Sequence, residues 1–135
     1  MVTHKFSMKK NNEIEANVFI KVCPSRDVIS RLSGKWTILI LALLKDSPKR
    51  FNQIKKEIEG ISQKVLTENL RSLERDGLVS RKVYTQSTLR VEYNTTSESK
   101  ELLKIIKQLT NWSEQNWLKL KRNNELHDAN NSRSL

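Results

Sequence analysis

Ser62-Gln63-Lys64-Val65-Leu66-Thr67-Glu68-Asn69-Leu70-Arg71-Ser72-Leu73-Glu74-Arg75-Asp76-Gly77 is the stretch that decides the fold of this chain. Ser62 is a good N-cap, because its hydroxyl oxygen can accept from an otherwise orphaned N–H of the first helical turn. Gly77 stands where helices commonly end in a left-handed residue. Between them, at 100° per residue, Leu66, Leu70 and Leu73 fall within about 60° of one another and form a core-facing stripe. Lys64, Glu68, Arg71 and Arg75 take the opposite face, with Gln63 and Thr67 on one flank. The N-terminal half therefore projects Gln63, Lys64, Thr67 and Arg71 outward, a polar surface held up by leucines. Glu68 either pairs with Lys64 at i,i+4 or reads a cytosine amino group, and the pairing is the simpler reading.

The neighbours of this helix give it a context. Upstream, Phe51, Ile54 and Ile58 are spaced by three and four, which predicts a short amphipathic helix ended by Gly60. Two short helices joined at Glu59-Gly60-Ile61 make a helix-turn-helix. Downstream, Leu78 to Thr85 and Arg90 to Thr95 alternate, with Val91 and Tyr93 on one face, and predict a β-hairpin. Its loop, Gln86 to Leu89, has no Gly, Asn or Asp, so an open, mobile tip is expected. A basic hairpin after a helix-turn-helix makes a winged helix. Such a helix enters the major groove N-terminus first, where its dipole favours phosphate and its side chains reach base edges. Ser62, Gln63, Lys64, Thr67 and Arg71 are the residues expected there. Lys49, Arg50, Arg81, Lys82 and Arg90 are expected at the flanking backbone or minor groove.

Further out, Cys23-Pro24-Ser25 opens a short helix to about Leu32, since proline suits a first turn. After Ser33-Gly34, the segment Lys35 to Lys45 is apolar almost all round and is expected to be the central buried helix, with Trp36 as a core anchor. Asp46-Ser47-Pro48 is a turn. Thr96 or Ser97 then caps a long helix whose apolar residues are Leu102, Ile105, Ile106, Leu109 and Trp112. That face lies too far past the winged-helix core to be buried by it alone, so it is expected to pack on a second copy. Residues 1–21 read as a flexible N-terminal arm, with Ile14 and Val18-Phe19 available for docking. Residues 22–120 form the winged helix-turn-helix domain with its C-terminal dimer helix, and residues 121–135 a polar tail expected to fray. The fold class is thus mainly α with a small β-hairpin, with extra N- and C-terminal dimerisation helices.

Composition agrees with a single helical domain and sets the kind of partner. In 135 residues there are 25 Lys+Arg against 15 Asp+Glu, a net charge of +10. Residues 49–90 carry ten basic and five acidic side chains, whereas residues 91–135 carry seven and six. Polyanion contact should therefore fall on the middle of the chain. The strongest apolar run, Trp36 to Leu44, is interrupted only by Thr37 and is far short of the roughly 20 residues a membrane span needs. No membrane association is expected, and the lone Cys23 fits a reducing, cytoplasmic setting. His4 and His127 are isolated in the polar arms, and there is neither a Gly-rich phosphate loop nor a cysteine pair. An enzyme, a metal site and a cofactor are all unexpected.

Six pieces in order, Cys23-Pro24, Ser33-Gly34-Lys35-Trp36-Thr37, Lys49-Arg50-Phe51, Gly60 to Thr67, Leu70 to Leu78 and Arg90-Val91-Glu92-Tyr93, resemble the HxlR-type transcriptional regulators. These are small MarR-like winged-helix proteins of bacteria. The likeness spans Cys23 to Trp112, although Thr85 and Leu89 stand where the family's wing often has prolines. It implies a homodimer on pseudo-palindromic double-stranded operator DNA, acting as a repressor. It also implies that a cysteine at this Cys-Pro position can sense oxidants or small electrophiles, and the dipole of the helix it precedes favours a thiolate there. The alternatives are a small buried packing role for Cys23 and, for the whole chain, a basic winged-helix module binding RNA or a protein partner.

Overall fold

The computed structural model describes residues 15–86 and 89–133. Its elements run α1 (Pro24–Leu32), α2 (Lys35–Leu44), β1 (Lys49–Arg50), α3 (Phe51–Glu57), α4 (Gln63–Arg75), β2 (Val79–Tyr84), β3 (Arg90–Thr95), a 3₁₀ turn (Ser97–Ser99) and α5 (Lys100–Arg133). The capping read from sequence is present at α4. Ser62 Oγ accepts from Val65 N–H at 3.1 Å. At the other end Gly77 adopts φ +76°, Leu78 N–H donates to Leu73 O and Gly77 N–H to Glu74 O, both at 3.0 Å. This pair of bonds satisfies carbonyls the helix would leave open and turns the chain into the wing. Gly60, at φ +85°, makes the tight turn between α3 and α4.

The core gathers one stripe from each element: Ile40, Leu41 and Leu44 of α2, Ile54 of α3, Leu66, Leu70 and Leu73 of α4, and Val79 of β2, with Ile58 and Ile61 closing the turn. Burying each leucine of the α4 stripe contributes about 1.5–3 kcal/mol, which fixes the rotation of that helix and so the face it shows to solvent. Trp36 packs against this core, half-buried. Thr37, the one polar residue of the apolar run, is buried and donates to Asn69 Oδ1 of α4 at 2.9 Å. Asn69 Nδ2 in turn donates to Val65 O, so this polar pair inside the core is satisfied. Arg31 at the end of α1 grips Asp76 with two 3.3 Å contacts.

Several expectations are corrected. The sheet has three strands, ordered β1-β3-β2, because Lys49 and Arg50 pair antiparallel with Tyr93 and Glu92. Thr96 and Ser97 do not cap the long helix. Thr96 Oγ1 instead donates to Gly77 O at 2.6 Å, and a 3₁₀ turn intervenes before Lys100. The polar tail is not frayed over most of its length, since α5 continues to Arg133. No Gly or Pro interrupts residues 100–133, and side chains bond along the helix, as in Asn131 with His127 at 2.9 Å and Ser132 to Asp128 O. Of the expected dimer face, Leu102 and Ile106 belong to the chain's own core: Ile106 is 4% exposed and Leu102 packs beside it, because α5 lies across α2. Ile105, Leu109 and Trp112 do face outward.

The N-terminal arm falls mostly outside the described residues, Ile14 included. Its last part is a turn, with Ile20 N–H donating to Asn17 O and Cys23 N–H to Ile20 O, each at 3.1 Å. Phe19 does not dock, being almost wholly exposed. Of the wing tip, Ser87 and Thr88 lie outside the described residues.

Candidate nucleic-acid interface

The outward face of α4 carries Gln63, Lys64 and Arg71, all exposed, with Ser62 at its head. Thr67 is half-buried and its hydroxyl is already committed, donating to Gln63 O at 2.8 Å. What Thr67 can offer a base is therefore its methyl group and a lone pair. Lys64 and Glu68 form no ion pair among the described residues, so the simpler of the two readings of Glu68 does not hold.

The strand register divides the basic residues of the wing between two faces. Val79, Arg81 and Val83 of β2 stand opposite Thr95, Tyr93 and Val91 of β3 and turn toward α4. Arg81 thereby meets Arg71 across a cleft of about 360 Å³ that Phe51, Thr67, Glu74 and Tyr93 complete. Neither arginine makes an ion pair among the described residues, so both charges are available to an anion at this junction of helix and wing. Lys82 and Arg90 occupy the other face, each close to the ring of Tyr84. Tyr84 was not singled out from sequence. Its position opposite Arg90 depends on the hairpin register, which a loop lacking Gly, Asn and Asp does not specify.

Lys49 and Arg50 share β1 but differ in availability. Lys49 Nζ lies 3.3 Å from Glu57 Oε2, with its side chain only 18% exposed, so much of its charge is already compensated. Arg50 is exposed, and its N–H is held by Gln53 Oε1 at 2.9 Å, which fixes the start of α3.

Cys23 is the N-cap of α1 and is 2% exposed. The Ser25 hydroxyl at 3.0 Å and the Asn17 N–H at 3.2 Å surround its Sγ. Led by the Ser25 hydrogen bond, these contacts hold the thiol below the ordinary cysteine value, against the opposing effect of burial. Nearby Val22, Val28 and Ile29 are exposed.

A capped second helix, a preceding short helix and a basic antiparallel wing define a winged helix-turn-helix protein, the architecture of DNA-binding transcription regulators. Comparison narrows this further. The profile described as HxlR-like helix-turn-helix matches residues 31–121, and the chain belongs to that family of transcriptional regulators. The uncharacterized HTH-type transcriptional regulator YtfH of Escherichia coli is 34% identical over 102 residues, covering 76% of this chain and 81% of that protein. Among solved structures, the putative transcriptional regulator ytfH from Salmonella typhimurium superposes with a TM-score of 0.76 at 32% identity, over 82% of this chain and 99% of that one. The redox regulator HypR in its oxidized form gives a TM-score of 0.65 at 37% identity, over 70% and 97%. No helix among the described residues is long and apolar enough to cross a membrane.

Proposed function

We propose that this chain is a sequence-specific repressor that binds a pseudo-palindromic operator as a homodimer, in the cytoplasm, and carries no catalytic activity of its own. The observation that carries this reading is the join of α4 and the wing. An exposed, capped helix with Gln63 and Lys64 at its head is continuous with a cleft where Arg71 and Arg81 are both unpaired among the described residues. A base-reading helix needs a backbone anchor beside it, and this cleft supplies one. Two such helices in a dimer would meet half-sites one helical turn, about 34 Å, apart. The exposed Ile105, Leu109 and Trp112 of α5 support pairing with a second copy.

A mobility-shift competition among duplex DNA, structured RNA and an uncharged polymer tests the partner class, and duplex DNA is expected to win. Within an operator selected from random duplex DNA, Gln63→Ala should relax preference at one base pair by about 1–3 kcal/mol. Tighter binding to RNA, or an unchanged preference in Gln63→Ala, would overturn the assignment.

Cys23 favours a second, regulatory role. Its hydrogen-bonded thiol has a lowered pKa, and one structural neighbour is described as a redox regulator. Peroxide, which oxidises this thiol to a sulfenic acid and is itself reduced to water, or a quinone, to which the thiolate adds with protonation of the ring oxygen, would disturb the turn from Asn17 to Val22 and the start of α1. Peroxide or quinone should then weaken operator binding by the native protein and leave Cys23→Ser unaffected. Equal behaviour of the two would make Cys23 a packing residue.

A further inference from the structure

The outer face of the wing holds four side chains in a square. Tyr84 stands directly across from Arg90, and Lys82 across from Glu92. The Arg90 guanidinium carbon lies 4.4 Å from the centre of the Tyr84 ring, and Lys82 Nζ lies 4.9 Å from it. Both cations are thus within the range where the negative face of an aromatic ring attracts them. Glu92 Oε1 approaches Arg90 Nε at 3.5 Å, and that nitrogen is covered and makes no hydrogen bond. The Arg90 side chain as a whole nevertheless remains 38% exposed. With Nε turned inward, the two terminal nitrogens are the donors left to meet a ligand.

This square contributes nothing to the core, which lies on the opposite side of the sheet with Val79 and Tyr93. A tyrosine here is therefore not required for packing α4. What it does is brace an otherwise flexible arginine on the wing's outer face, with the guanidinium carbon 4.4 Å from the ring centre. Phosphates line every duplex alike, so a braced arginine that met only phosphate would add no sequence preference. A planar guanidinium fixed in one orientation suits the floor of a narrow minor groove, whose negative potential is strongest in A·T tracts.

We infer that Tyr84 is a positioning residue of the wing, holding Arg90 so that the protein prefers operators flanked by A·T-rich sequence. This rests on the DNA-binding reading above and adds to it a residue and a sequence preference. It assigns the flank preference to a pair, Tyr84 and Arg90, that touches none of the bases read by α4.

The test uses the full chain and one core duplex, selected from random sequence, rebuilt with either A·T-tract or G·C flanks of equal length. Wild type is expected to favour the A·T-flanked duplex. Tyr84→Leu should lower that ratio by about two- to fivefold, the scale of one cation–π contact, and Tyr84→Phe, which keeps the ring face, should retain it. Arg90→Lys keeps the charge and disturbs the hairpin least. It should lose the flank preference while keeping the salt dependence of binding. A wild-type ratio of one, an unchanged ratio in Tyr84→Leu or Arg90→Lys, or a lost ratio in Tyr84→Phe would each overturn the inference while leaving DNA binding intact. Failure of wild type to bind any duplex would instead overturn the DNA reading on which it stands.

Discussion

At Gly77 the backbone is left-handed, and a Cβ built there would lie 3.0 Å from Glu98 Oε2. Gly77→Ala is expected to destabilise the fold by about 1–2 kcal/mol, measured by urea unfolding. This residue and Ser62 were legible in the sequence because caps follow local backbone chemistry. The state of Thr67, by contrast, was not, since its hydroxyl could turn to solvent or back to Gln63 O, and only the folded rotamer decides. Cys23 lends itself to a pH measurement. Its native thiol loses its proton more readily than an ordinary cysteine, so across that interval the unfolded chain binds more protons than the native one, and stability rises with pH. Relative to Cys23→Ser, wild type should gain unfolding free energy as the pH rises past the native thiol's pKa. The gain should level off above the unfolded thiol's value, about pH 8.5, and vanish as the pH falls through the native one. A difference that stays flat across this range would mean that the Ser25 and Asn17 contacts do not favour the thiolate.

The wing is the element whose behaviour in salt should separate its residues. Arg81 faces the α4 cleft without an ion-pair partner among the described residues, so Arg81→Ala should reduce the slope of log K against log salt by about 0.9, the value of one lost phosphate contact. Lys49→Ala should change it less, because Glu57 already compensates that charge. Equal slopes for Arg81→Ala and wild type would remove the cleft from the interface. Alternation in Leu78 to Thr85 and Arg90 to Thr95 was enough to read both long strands and to place Val91 with Tyr93. It could not reveal β1, since two residues after Pro48 carry no periodicity and pair only because β3 passes beside them. Nor could it show the full reach of α5. Asn-rich composition argues for fraying, whereas the structure forms an unbroken 34-residue helix, about 51 Å long, without a Gly or Pro to stop it.

For the molecule as a whole, the question is what covers Ile105 and Trp112, which are 61% and 53% exposed. A second copy is expected to do so. Sedimentation at micromolar concentration should show a dimer for wild type and a monomer for Trp112→Glu, and a stable wild-type monomer would sink this reading. The apolar character of this face was visible in the sequence. Its division between core and surface was not, because that depends on the angle at which α5 crosses α2. The buried Thr37–Asn69 hydrogen bond gives the proposed pair of protomers a mechanical character. The drastic way for packed helices to rearrange is a ratchet of one turn, about 5.4 Å. Such a slip of α4 along α2 would take the Asn69 acceptor from the Thr37 hydroxyl, leaving that donor only its longer 3.4 Å contact to Arg31 O. The two helices are thus keyed together and travel as one tooth of a gear. In the proposed dimer, a signal arriving at α1 or α5 is then expected to alter the spacing and tilt between the two reading heads rather than the shape of each.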